Sequence, residues 1–117
     1  MKVYYAHCSN LYGTPQEERD ISTLMKLRFT VYNPNNEVAS ELYRDQGMAA
    51  FKALVEACDC LCYRALPDGR IPAGVAKEVV WAVEKGLPVF ELPHGFIDDR
   101  IMSVESTRGY LYEIGAR

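Results

Sequence analysis

The segment Cys60-Leu61-Cys62-Tyr63 is apolar at every position, and this constrains the fold more than any other stretch. A strand with no polar face must be covered on both sides, as happens for a central strand of a parallel sheet. The chain alternates around it. Val3 to His7 reads as a first strand, Phe29-Thr30-Val31-Tyr32 as a second and Pro88 to Leu92 as a fourth. Thr14-Pro15-Gln16-Glu17 has the form of a helix start, with Thr14 as N-cap, Pro15 at the first helical position and Glu17 completing a capping box. Ile21, Leu24 and Met25 give that helix an apolar stripe. Gly47 to Ala57 reads as a second helix, with Met48, Phe51, Leu54, Val55 and Cys58 on one face. A third runs from Pro72-Ala73-Gly74 to Lys85 and stops at Gly86, a good C-terminal cap, and Ser103 to Glu113 reads as a last helix. Asn33-Pro34-Asn35-Asn36 and Leu66-Pro67-Asp68-Gly69-Arg70 are turns.

Strand and helix alternate, which favours helices packed on both faces of a parallel sheet. The expected architecture is a single domain over residues 1–117: a three-layer, doubly wound α/β fold with a mainly parallel sheet of four to five strands. Its order is flavodoxin- or Rossmann-like, with the first strand central. Such sheets bind ligands beyond the carboxyl ends of their strands, where the strand order reverses. That edge carries His7, Cys8 and Ser9 after the first strand, Asn33 after the second, and Tyr63 and Arg64 after the third. The start of the third helix closes it.

Composition narrows the partners. Hydrophobic residues make up 49% of the chain and charged residues 25%, enough apolar surface to bury a core and too much for a disordered segment. The net charge of −3 implies no basic patch, so duplex nucleic acid is not an expected partner. No apolar run approaches the ~18 residues of a membrane span, and the first residues do not form a signal peptide, so a cytoplasmic location is expected. Cys58, Cys60 and Cys62 lie in or beside a buried strand, where alternate residues are about 6.6 Å apart. That spacing is too wide for two thiolates on one zinc ion held by ~2.3 Å bonds. The cysteines read as small buried hydrophobes, and no metal or other cofactor is expected.

Glu78 is the residue that could carry chemistry. In Gly74-Val75-Ala76-Lys77-Glu78 it stands at the border of the apolar stripe Val75, Val79, Ala82, Val83 and Gly86, one turn into the helix, toward the ligand edge. Apolar neighbours push such a carboxyl toward a raised pKa, whereas the helix dipole pulls it down. The plain alternative is a first-turn glutamate that only complements the dipole. No Gly-x-Gly-x-x-Gly fingerprint is present, which disfavours a nicotinamide oxidoreductase.

Several stretches together resemble one known family. They are Tyr4-Tyr5-Ala6-His7, Asn33-Pro34, Ala57-Cys58-Asp59, and Gly74-Val75-Ala76-Lys77-Glu78 continued by Ala82-Val83-Glu84-Lys85-Gly86-Leu87-Pro88-Val89. In order and spacing, residues 2 to 93 are similar to the nucleoside 2-deoxyribosyltransferase superfamily and its 2′-deoxynucleoside 5′-phosphate N-hydrolase branch. The resemblance implies that Glu78 is a nucleophile attacking the anomeric carbon of a 2-deoxyriboside, as in a retaining glycosidase. Water then makes a hydrolase and a second base a transferase. The resemblance also implies a small-molecule nucleoside or nucleotide as partner, and a homodimer or larger homo-oligomer in which a neighbour's C-terminal segment completes each site. Ser103 resembles the family's serine that reaches a neighbouring subunit's phosphate, and Ser9 could hold a 5′-phosphate.

One departure stands out. The family adds an aspartate on the helix before the third strand, and Phe51 occupies that place here. Asp68, in the loop before Glu78, is the candidate substitute, whereas Asp59 reads as structural. His7 could serve as acid or base or as a hydrogen-bonded structural residue. Arg64 could bind phosphate or form an ion pair. Tyr5, Tyr12 and Tyr63 could stack on a base, and Gly74 opens the approach to Glu78. Trp81 could anchor a subunit interface. Three readings stay open: an N-glycosidic bond hydrolase or transferase, a nucleotide-binding module without turnover, and an interaction protein with a vestigial cleft.

Overall fold

The computed structural model describes residues 1–92 and 103–115. It contains a four-stranded, all-parallel sheet in the order β2-β1-β3-β4, formed by β1 (Lys2–Ala6), β2 (Thr30–Tyr32), β3 (Cys60–Arg64) and β4 (Val89–Leu92). The helices are α1 (Pro15–Lys26), α2 (Glu37–Gln46), α3 (Ala49–Glu56), α4 (Ala73–Lys85) and α5 (Val104–Glu113), with a short 3₁₀ turn at Ser9–Leu11. This is the expected three-layer, Rossmann-like architecture, and none of the described helices is long and apolar enough to cross a membrane.

The period of two along each strand assigns the layers. Tyr4 and Ala6 of β1 and Leu61 of β3 pack with Val55 and Cys58 from α3 and its C-terminus and with Val75 and Ala82 of α4. Val3 and Tyr5 of β1 and Cys60 and Cys62 of β3 face the other way, onto Leu24 of α1. β1 pairs with β3 through Val3↔Cys60 to Ala6↔Tyr63, and with β2 through Lys2↔Thr30 to Tyr4↔Tyr32. The chain leaves β1 toward β2, then crosses back over it to β3, so the strand order reverses between β1 and β3. Asp59 secures the entry to β3: its carboxylate accepts from the Lys2 N–H at 2.7 Å, and its own N–H donates to Lys2 O at 2.8 Å.

Several local expectations differ from the structure. The span between Asn36 and Gly47, unassigned from the sequence, is helix α2, which Asn36 caps by accepting from the Ala39 N–H at 2.9 Å. Thr14 caps α1 through the Glu17 N–H, but the Glu17 carboxylate does not close a capping box; it turns to Gly13 N–H, His7 and Asn35. Met25 and Val83 belong to the apolar stripes of their helices, yet each is 62% exposed. The inward positions go to acids instead: α1 buries Glu17 and Asp20 with Leu24, and α4 buries Glu78 with Val75 and Ala82. Trp81 is half-buried against the α3–α4 side of the core.

Asp20 explains how an acid replaces a hydrophobe. Its carboxylate takes a bidentate clamp from Arg64, at 2.5 Å from Nε and 2.7 Å from the second nitrogen. It also accepts from the Tyr5 hydroxyl at 2.5 Å and from Gln16 at 2.9 Å. A buried charge with every lone pair engaged is tolerated, whereas removing one partner leaves the others unpaired. Asp20→Ala should therefore lower stability by about 3 kcal/mol or more in a urea titration, because Arg64 and the Tyr5 hydroxyl both lose their acceptor.

Candidate active site

A cavity of about 360 Å³ opens at the carboxyl edge of the sheet, at the β1/β3 switch point. Its lining comes from four places. His7, Cys8, Ser9 and Tyr12 follow β1, and Pro34 follows β2. Ser40, Tyr43, Met48 and Phe51 come from α2, α3 and their junction, while Pro72, Gly74, Val75 and Glu78 come from the start of α4. Most of this surface is aromatic or aliphatic, with a few polar atoms converging on it, the usual constitution of a small-molecule site.

Glu78 is only 6% exposed. The Tyr4 hydroxyl donates to its Oε2, joining β1 to α4 through the core. Burial raises the Glu78 carboxyl to about 7, because a charge there loses its hydration, while the Tyr4 hydrogen bond favours the ionised form and pulls the value back. The same burial, with the neighbouring carboxylate, drives the Tyr4 phenol far above its ordinary value, so this hydroxyl remains a donor. Near neutral pH the site therefore holds a carboxyl poised between its two protonation states, as an acid–base or nucleophilic group requires.

His7 is buried and its nitrogens are committed. Nδ1 lies 3.0 Å from Tyr5 O and Nε2 lies 2.8 Å from Glu17 Oε2. A carbonyl and a carboxylate only accept, so the ring satisfies both when both nitrogens carry hydrogen. Burial works to raise the Glu17 carboxyl, but bonds from His7, the Gly13 N–H and Asn35 outweigh it and hold the group below its ordinary value. His7 stacks on Tyr5 with ring centres 3.8 Å apart and meets Tyr12 at 5.0 Å. It thus walls the cavity without offering it a free nitrogen.

The other sequence candidates divide. Ser9, Tyr12 and Gly74 reach the cavity; a Cβ on Gly74 would touch the Met48 side chain at 3.5 Å, an ordinary contact. Asn33 does not line it, because its side-chain oxygen accepts from the Asn35 N–H at 2.9 Å and shapes the turn that brings Pro34 in. Arg64 is drawn to Asp20 on the α1 side of the sheet. Asp68 also lies outside the lining and pairs with Arg70 Nε at 2.6 Å on the exposed loop. Ser103 is exposed and caps α5 by accepting from the Ser106 N–H at 3.0 Å. The remainder of the tail from 93 to 102 is outside the described residues. Among those described, no cluster of three or more His, Cys, Asp or Glu side chains could hold a metal ion.

Two parts of the site escaped the sequence reading. Tyr4 was legible in principle, since a tyrosine on a two-sided buried strand needs a partner for its hydroxyl. Ser40 and Tyr43 depended on helix α2, whose signal was the Asn36 cap followed by an acidic first turn. Comparison of the chain with protein-family models, curated proteins and solved structures found no match.

The Glu78 carboxyl costs stability as pH rises. Below its unfolded value of 4.5 the group is protonated in both states and has no effect. Between there and about 7 the unfolded chain ionises while the folded one resists, a penalty that reaches about 3 kcal/mol. Glu78→Gln keeps an acceptor for Tyr4 and removes that penalty. Its melting temperature should exceed the wild type's by several degrees at pH 8 and match it near pH 4, as scanning calorimetry would register.

Proposed function

We propose that the protein cleaves the N-glycosidic bond of 2′-deoxynucleosides or their 5′-monophosphates, with Glu78 as the nucleophile. The observation that carries this reading is the Glu78 carboxyl itself: buried at the ligand edge of the sheet, lining a cavity of about 360 Å³, held by Tyr4 and raised to about 7. The likeness of residues 2 to 93 to the nucleoside 2-deoxyribosyltransferase superfamily supports the same assignment. A flat base suits aromatic and thioether walls such as Phe51 and Met48. In the ionised form, Glu78 attacks C1′ as the C1′–N bond breaks and its electron pair leaves with the base. Water or a second base then takes the sugar from Glu78, giving hydrolysis or transfer.

A homodimer or larger assembly belongs to the same proposal. Val80 and Val83, on the outer side of α4, are 51% and 62% exposed and offer apolar area for such a contact. A cytoplasmic setting, where four free cysteines stay reduced, fits as well.

The second reading, a nucleotide-binding module without turnover, draws on Phe51. This ring lines the cavity where the family carries an acid, and Glu78 is the one carboxylate among the described lining residues. Chromatography of base release from a panel of deoxynucleosides and their monophosphates, with and without an acceptor base, separates the two. Turnover by the wild type that falls at least ~10³-fold in Glu78→Ala supports the enzyme. Ligand binding without release, equal in wild type and variant, supports the module.

The pH profile adds a sharper expectation. The rate should rise through about 7 as Glu78 ionises. Tyr4→Phe removes a bond that favours the carboxylate, so the rising limb should move to higher pH, measured as kcat against pH for both proteins.

A further inference from the structure

An attacking carboxylate solves half of the reaction; the departing base must also shed the charge it gains. Among the described cavity residues, most polar groups are unsuited to this. Both His7 nitrogens face acceptors, and the Tyr4 hydroxyl, behind the lining, is engaged with Glu78. Ser9, Ser40 and Tyr43 are exposed, where water competes for their hydrogen bonds. Tyr12 differs from all of these. It is half-buried, it lines the cavity, and its hydroxyl makes no hydrogen bond to another described residue. Its backbone is held at the end of the 3₁₀ turn, with its N–H on Ser9 O at 3.1 Å, and its ring leans on His7 at 57°.

We propose that the Tyr12 phenol is the catalytic hydrogen-bond donor to the leaving base. The inference rests on the assignment of Glu78 as nucleophile. A carboxylate oxygen of Glu78 bonds to C1′ while the C1′–N bond breaks, and the electron pair passes into the ring system of the base. The Tyr12 O–H donates to a ring nitrogen or carbonyl oxygen on which that charge collects, and the proton stays on the phenol. Burial, then the Glu78 and Glu17 charges, push this hydroxyl up to about 12, so it stabilises the base anion as a donor without ionising. The anion takes its proton from water, the resulting hydroxide attacks C1′, and Glu78 leaves as a carboxylate. One water is consumed and base and free sugar are formed. A preorganised donor in a partly dry site is worth more than the same bond in water.

The test compares wild type with Tyr12→Phe, which keeps the ring, on two deoxynucleosides: one with an ordinary base and one whose base carries an electron-withdrawing substituent. For the ordinary base kcat should fall about 10- to 100-fold. For the activated base, which needs less help to leave, the fall should be several times smaller, with KM little changed. An equal loss on both substrates would mean that Tyr12 only shapes the cavity, and an unchanged kcat on both would mean that it does nothing to the leaving group. Either overturns the inference and leaves Glu78 chemistry standing. Absence of base release by the wild type from either substrate overturns both together.

Discussion

Two adjacent tyrosines at the centre of the sheet organise this molecule. Strand geometry sends Tyr4 and Tyr5 to opposite faces, and both are fully buried. A buried phenol needs an acceptor, and each finds a carboxylate on the helix layer that it faces: Tyr4 on Glu78 of α4, Tyr5 on Asp20 of α1. The two bonds pin both layers to β1 and fix the rotation of each helix about its own axis. They also account for the exposed Met25 and Val83, since a helix turned to present an acid inward cannot present its full apolar stripe as well.

The two acids are treated differently. Asp20 is matched by Arg64, so its charge is neutralised where it sits and the group serves to hold the fold together. Glu78 has a phenol and no cation among its described partners, and burial leaves its carboxyl near neutrality. An unmatched buried carboxyl is a standing cost to stability, of a kind that accumulates at sites where reactivity is needed. The surroundings agree with that view: the unmatched acid is the one that faces the cavity, and the matched one packs on the opposite layer.

His7 sits between the two systems. It stacks on the Tyr5 ring, and through Glu17 it reaches the loop before α1 and Asn35 in the turn after β2. The contact between His7 and Glu17 therefore helps to hold together the loops that follow β1 and β2, from which Tyr12 and Pro34 reach the cavity. The wall of the site is built by the same hydrogen bonds that close the edge of the sheet.

The layer architecture was legible because it follows from short-range pattern. The two-sided apolar run at Cys60–Tyr63, the Thr14-Pro15 start and the Gly86 stop at positive φ are local signals with local causes. Glu78 at the ligand edge was legible for the same reason, being a matter of helical phase. Helix α2 was missed, since its apolar face is thin and much of its surface is solvated; with it went Ser40 and Tyr43. Asp68 stands near Glu78 only along the chain, and its partner is Arg70; for Arg64 the sequence leaves phosphate or an ion pair open, and the partner is Asp20, a choice made in three dimensions. What the sequence determined by itself is the order of elements, their ends and the edge where a ligand would bind, since these depend on residues a few positions apart. Only the tertiary structure decided which buried acid is neutralised and which is left reactive, because that depends on which side chain of a distant strand each carboxylate meets.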